Sequence, residues 1–229
     1  MKYLNINIAI LLTALLISAC QDKAIEIEKP IQTDPKSELQ NKDPGIDRDL
    51  IISSEGIGKA RLGMTLGQLK EISDPDTEFK LQSSFMVDLN AIAVTKSGVV
   101  QYYILYLAGT TSHPDRITPS DRDPITILMT DNPNYQTKEG VKVGTAIAAA
   151  ETIYGNATLS YNTANESREY VSFGDRPKDN LEFRTNWLDP DLAGIYKATS
   201  EEYRQTQQFR NNAAIRAIEV SCAPINCPK

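Results

Sequence analysis

Three kinds of side chain in this 229-residue sequence have the types for chemistry: one histidine, short runs of carboxylates, and clustered tyrosines. His113 lies in a polar stretch, Gly109–Asp123, with Pro114 and Pro119. Ser112 and Asp115 beside it complete the residue types of a nucleophilic triad, but sequence neighbours rarely meet in that geometry. No Gly-x-Ser-x-Gly turn presents a serine either, so His113 reads as a solvated loop residue. Asp121, Asp123 and Asp131, or Asp74, Asp76 and Glu78, offer oxygens to a Ca²⁺ ion. Neither set has the glycine and terminal glutamate of the helix-loop-helix calcium loop, so turn-forming and helix-ending roles are expected. Paired carboxylates for glycoside chemistry cannot be picked out by spacing. Tyr102, Tyr103 and Tyr106 have the chemistry to line a sugar- or peptide-binding face, although strand aromatics mostly pack. Trp187, just past an expected strand end, is either an exposed anchor or a core plug. No catalytic set, metal or cofactor is expected, and the sequence leans away from an enzyme.

The cysteines carry a different chemistry. Cys20 closes an apolar run, Ile8–Ile17, that follows Lys2. About ten apolar residues fit an export signal better than a membrane span of about 20. Ile17-Ser18-Ala19-Cys20 resembles the bacterial lipoprotein signal, which ends in an aliphatic residue, two small residues and a cysteine. Ile17 departs from the usual leucine. The resemblance implies a signal peptide over residues 1–19 and acylation of Cys20, with several chains giving a stable membrane anchor. Gln21 stands where an aspartate tends to retain such proteins at the inner membrane, so the outer membrane is expected, facing periplasm or exterior. With Cys20 claimed by lipid, Cys222 and Cys227 are left as a pair. An exported compartment permits their disulfide. So short a loop gains only about 2 kcal/mol, and the bridge reads as a C-terminal clip.

Without residues 1–19 the chain carries 23 basic and 30 acidic side chains, net −7. That balance argues against nucleic acid as a partner and against electrostatic docking on anionic lipid. Residues 20–50 form the lipidated cysteine and a tether. Thirteen of residues 21–50 are charged, none is aromatic, and Pro30, Pro35 and Pro44 interrupt them. Such a segment cannot bury enough apolar surface to order itself, and as a coil it spans about 30 Å.

The folded domain is expected over 51–229. Leu62-Gly63-Met64-Thr65 leads into one helical pattern and Val143-Gly144-Thr145 into another. Gly63 aligns with Gly144, Leu66 with Ile147, Leu69 with Ala150 and Ile72 with Ile153. The apolar spacing predicts that all six helical residues face a core. Asp74 before Pro75 ends the first helix, and Gly155 ends the second. Strands are predicted at 78–81, 87–95, 99–107, 125–129, 157–161, 170–173, 181–184 and 215–220, with a turn at Lys96-Ser97-Gly98. Val100, Tyr102, Ile104 and Tyr106 would share one face. Leu181 and Phe183 face opposite to Glu182 and Arg184, which implies a sheet with one wet side. Thr199 and Glu202 have capping-box spacing, predicting a helix to about Asn211.

The resulting expectation is an α+β fold: two helix-plus-antiparallel-sheet units in tandem over 56–107 and 140–186, then a helix/strand extension over 187–229. Gly63-Met64-Thr65 resembles the repeat units of the small lipoprotein of the outer-membrane barrel-assembly machinery and of β-lactamase inhibitory protein. That resemblance implies a non-catalytic module binding an envelope protein or polymer. The alternative is a periplasmic enzyme or small-ligand-binding protein with its site in loop 109–123.

Overall fold

Helices of seven or eight residues are too short to be stable alone in water, so the two formed here depend on how their entrances are held. The computed structural model describes residues 47–82, 85–107, 119–175, 180–185, 192–223 and 227, all within one compact unit, Asp43–Lys229. A 3-10 turn, Arg48–Leu50, leads into three short strands: β1 (Ile51–Ser53), β2 (Gly56–Ile57) and β3 (Ala60–Arg61). Helix α1 (Leu66–Ile72) follows, then β4 (Thr77–Gln82), β5 (Leu89–Lys96), β6 (Val99–Leu107), β7 (Ile127–Thr130) and β8 (Gln136–Thr137). After α2 (Ile147–Tyr154) come β9 (Ala157–Asn162), β10 (Glu169–Phe173), β11 (Leu181–Arg184), β12 (Tyr203–Thr206) and β13 (Ala217–Ser221).

The sheet topology corrects the expected architecture. Among the described residues there are thirteen strands and two α-helices, and nine strands form one antiparallel sheet in the order β12-β9-β10-β11-β13-β7-β6-β5-β4. The chain is therefore sheet-dominated and is not a pair of helix-plus-sheet units. The physical reason lies at the centre, where β13 pairs with β7 from Ile218↔Thr130 to Ser221↔Ile127. Both strands would otherwise expose unpaired N–H and C=O groups at an edge. A smaller sheet, β3-β2-β1-β8, includes a parallel pairing of β1 with β8.

Within this single fold, both helix entrances are held by the same bonds. Gly63 N–H donates to Ile125 O, Ile125 N–H to Met64 O and Leu66 N–H to Asp123 O, at 2.8, 2.8 and 3.1 Å. Gly144 N–H donates to Ile215 O, Ile215 N–H to Thr145 O and Ile147 N–H to Ala213 O, at 2.8, 2.9 and 2.9 Å. Both glycines have positive φ, 86° and 89°, which a side chain would strain. Thr65 caps α1 in a capping box with Gln68, whereas Ala146 caps α2 without a side-chain bond.

The main core lies between the nine-stranded sheet and the layer made by both helices and the small sheet. Ile52, Leu66, Leu69, Ile104, Leu128, Ile147, Ala150 and Ile218 are buried in it. Two expected core residues are not. Ile72 is 52% exposed and Ile153 is 43% exposed. At 100° per residue, successive three-residue steps rotate off the buried stripe. The next inward position is four beyond Ala150, and Tyr154 occupies it, 3% exposed. Ser73 is the corresponding residue of α1, already its C-cap.

Other expectations also give way. Val87 precedes β5 and is not part of it. A bulge between Val94 and Thr95 turns Val100 to the face opposite Tyr102, Ile104 and Tyr106. Residues 199–211 are not helical: Thr199 Oγ1 accepts from Glu201 N–H, and β12 pairs with β9. Here strand pairing overrides the capping-box spacing.

Candidate functional site

The face of the nine-stranded sheet opposite the helices carries two surfaces with different chemistry. Near β5, β6 and β7 it is apolar: Leu89, Ala91, Ala93, Tyr103, Leu105, Met129 and Ala217 form a second cluster, with Phe85 and Met86 packed against it. Residues 85–88, between β4 and β5, cross this face as a strap. Phe85 meets the Tyr103 ring at 4.8 Å, and Met86 Sδ accepts from Arg184 Nη1 at 3.2 Å. Asp88 pairs with Arg168, and Val87 N–H donates to Glu166 Oε1 at 3.2 Å. Arg168 stands just ahead of β10, five steps from β5 in the strand order. On a flat sheet those strands would lie roughly 24 Å apart, so the sheet coils around this face.

Buried charges hold the strap's far end. Arg168 and Arg184 are 5% and 3% exposed. Arg184 pairs with Glu219 and lies over the Tyr170 ring, 5.3 Å from its centroid. Burial pushes the Glu219 carboxyl up; Arg184 opposes that shift and Glu182, its cross-strand neighbour, adds to it. Burial likewise raises Asp131, which is hydrogen-bonded to the Tyr103 hydroxyl.

Beyond the strap, a depression of about 430 Å³ opens over β9, β10, β11 and β12. Its shape follows from side-chain size. Ser160 and Ser172 supply short side chains in the middle, while Tyr203 and Gln205, Tyr170 and Glu182 stand around them. Register sets the order: Gln205 is opposite Ser160, which is opposite Tyr170. Gln205 Nε2 donates to the Tyr203 hydroxyl at 2.5 Å, and Ser172 Oγ to Thr158 O at 3.3 Å. Tyr203 is 51% exposed. Tyr203 and Gln205 also border a neighbouring depression lined by Ile195, Lys197 and Thr199.

The groove's outer wall, β12, is positioned by a buried carboxylate on the other face. Glu169 is fully buried and accepts from the backbone N–H groups of Ala193 and Gly194, at 2.7 and 2.8 Å. It also accepts from the hydroxyls of Tyr196 and Thr185. Tyr196 meets Tyr161 edge-on, and Arg204 of β12 lies over the Tyr161 ring. A buried carboxylate needs such donors to offset its lost hydration. Its partners fix the start of the excursion that returns as β12.

The residues singled out from sequence are mostly engaged elsewhere. Asp74 bonds Lys59 and Lys96, Asp76 accepts from Ser97, and Glu78 pairs with Lys80. Asp121 pairs with Lys70, Asp123 accepts from Ser120 N–H, and Asp131 stands on the strap face. Among the described residues no group of three or more His, Cys, Asp or Glu is placed to hold a metal. Tyr102 faces the main core and Tyr103 the strap. Of loop 109–123, residues 119–123 brace the start of α1, and Asp121 O accepts from Gly67 N–H at 2.9 Å. His113, Ser112, Asp115, Trp187 and Cys20 lie outside the described residues. Cys222 and Cys227 are joined, with Cα atoms 5.2 Å apart. The sequence predicts helix over β12 and so gives no groove there, whereas the alternation of Tyr203 and Gln205 with Arg204 and Thr206 is the signal of the strand.

No family model and no curated protein matches the chain. Among solved structures, it is similar to the uncharacterized protein yfeY from Escherichia coli. That match has 11% identity, spans 75% of this chain and 99% of the other, and has a TM-score of 0.45. A likeness of that degree carries no argument about fold or function.

Proposed function

We propose that this protein is a lipid-anchored component of a bacterial envelope whose sheet domain is a non-catalytic binding module. The observation that carries the anchor is Ile17-Ser18-Ala19-Cys20 at the end of an apolar run. Acyl chains on Cys20 hold the chain at the membrane, and residues 21–50 give the domain reach. Gln21 directs it to the outer membrane. The groove between Tyr203, Gln205, Tyr170 and Glu182 is the binding surface, because it joins an exposed aromatic ring to several hydrogen-bonding groups.

Labelling cells with a fatty-acid analogue tests the anchor. Wild-type protein takes up label and sediments with membranes, whereas Cys20→Ala takes up none and leaves the membrane fraction. Unlabelled wild-type protein would refute the anchor. Crosslinking in intact cells tests the module, which should yield a defined envelope adduct; absence of any adduct at the groove would count against a binding role.

A further inference from the structure

We propose that the groove over β9, β10, β11 and β12 binds a neutral glycan chain, an inference that rests on the groove being the module's binding surface. The polar groups are of the right kind. A pyranose ring offers an apolar C–H face and a girdle of hydroxyls, each both donor and acceptor. Tyr203, half exposed at the rim, supplies an aromatic surface for the C–H face. Ser160, Ser172, Gln205 and Glu182 supply short hydroxyls, an amide and a carboxylate, which together accept from and donate to sugar hydroxyls.

Size and charge narrow the ligand further. The short floor of Ser160 and Ser172 leaves room for a ring between the longer side chains on either side. Glu182 is the charged side chain lining this depression, and Glu219 stands opposite it on the next strand. The nearby Arg184 guanidinium is already paired with Glu219 and stacked on Tyr170. Nothing in this lining compensates an anion, so a uronate or phosphate-bearing chain is disfavoured. The adjoining depression shares Tyr203 and Gln205 but is also lined by Lys197, Arg204 and Glu201, so the selection against anions acts on the sugar seated over Ser160 and Ser172.

An extended peptide fits less well. A peptide strand would need the free backbone edge of β12. There Thr206 Oγ1 donates to Ile195 O at 2.9 Å, and Ile195 N–H donates to Gln208 O at 2.7 Å. The segment at Ile195 therefore lies against the end of a strand only four residues long.

Titration calorimetry on the full mature chain in detergent, with three oligosaccharide probes, tests the inference. Cellohexaose or the β-1,4 hexamer of N-acetylglucosamine should bind, and hexagalacturonate at least tenfold more weakly. Tyr203→Ala and Ser160→Leu should each weaken neutral-chain binding tenfold or more, while Tyr203→Phe stays within threefold. An unchanged far-UV spectrum confirms that each variant folds. No binding of either neutral chain, or binding untouched by Ser160→Leu, overturns the inference. A photocrosslinker at position 205 in intact cells separates the two levels of the reading. A captured glycan supports both. A captured protein keeps the groove as a binding surface and removes the glycan, and no adduct with no glycan binding removes both.

Discussion

Asp74 shows how one side chain can join elements distant in sequence. Its carboxylate lies 2.6 Å from Lys59, in the β2–β3 turn, and 2.7 Å from Lys96, at the end of β5. The hydrogen bond from Lys59, then that from Lys96, lowers its pKa from 3.8 to about 2. A folded pKa below the unfolded one means stability that is complete above pH about 4 and lost as pH falls through about 2. Asp74→Asn should therefore melt lower than wild type at neutral pH, with the gap closing as pH drops between those values. Added salt should shrink the gap at neutral pH, since all three groups are partly solvated. Thermal scans across that pH range check it, and a gap independent of pH would contradict the pairing.

Leu69 is fully buried while Ile72, three residues on, is 52% exposed. Leu69→Ala should cost about 2–5 kcal/mol, because a cavity is left in a packed core. Ile72→Ala should cost no more than about 0.5 kcal/mol, as for other surface changes. Urea titration of the two variants distinguishes this from an inward-facing Ile72, which would give similar losses. Legibility at this scale follows the range of the determining forces. Strands 99–107 and 181–184 stand where their alternation predicts, although Arg184, on the face expected to be wet, is buried, and Ser97 and Gly98 both take the positive φ of a two-residue hairpin turn. Val100 faces the unexpected side because a bulge, absent from the hydrophobic pattern, adds a residue ahead of Tyr102. A helix is expected over β12 because Thr199 and Glu202 have cap spacing, whereas its pairing partner β9 lies some forty residues earlier.

At the scale of the whole molecule, the pairing of β7 with β13 ties both halves of the large sheet into one hydrogen-bonded body. The strap adds further links, Asp88 with Arg168 and Met86 with Arg184. Unfolding of the domain should accordingly be a single transition, with coincident urea midpoints by far-UV circular dichroism and tyrosine fluorescence. Two separated transitions would mean that the halves are independent. The glycine turns, α1 and α2, most strands and the Cys222–Cys227 clip follow from the chain locally, because turn chemistry, side-chain periodicity and close cysteines act within a few residues. Long-range packing makes the strands one coiled sheet, lays residues 85–88 across part of its second face, and brings Ser160, Ser172, Tyr203 and Gln205 together in a groove. Those outcomes depend on pairings between strands far apart in the chain, where any unpaired edge satisfies the same backbone groups and local pattern does not choose the partner.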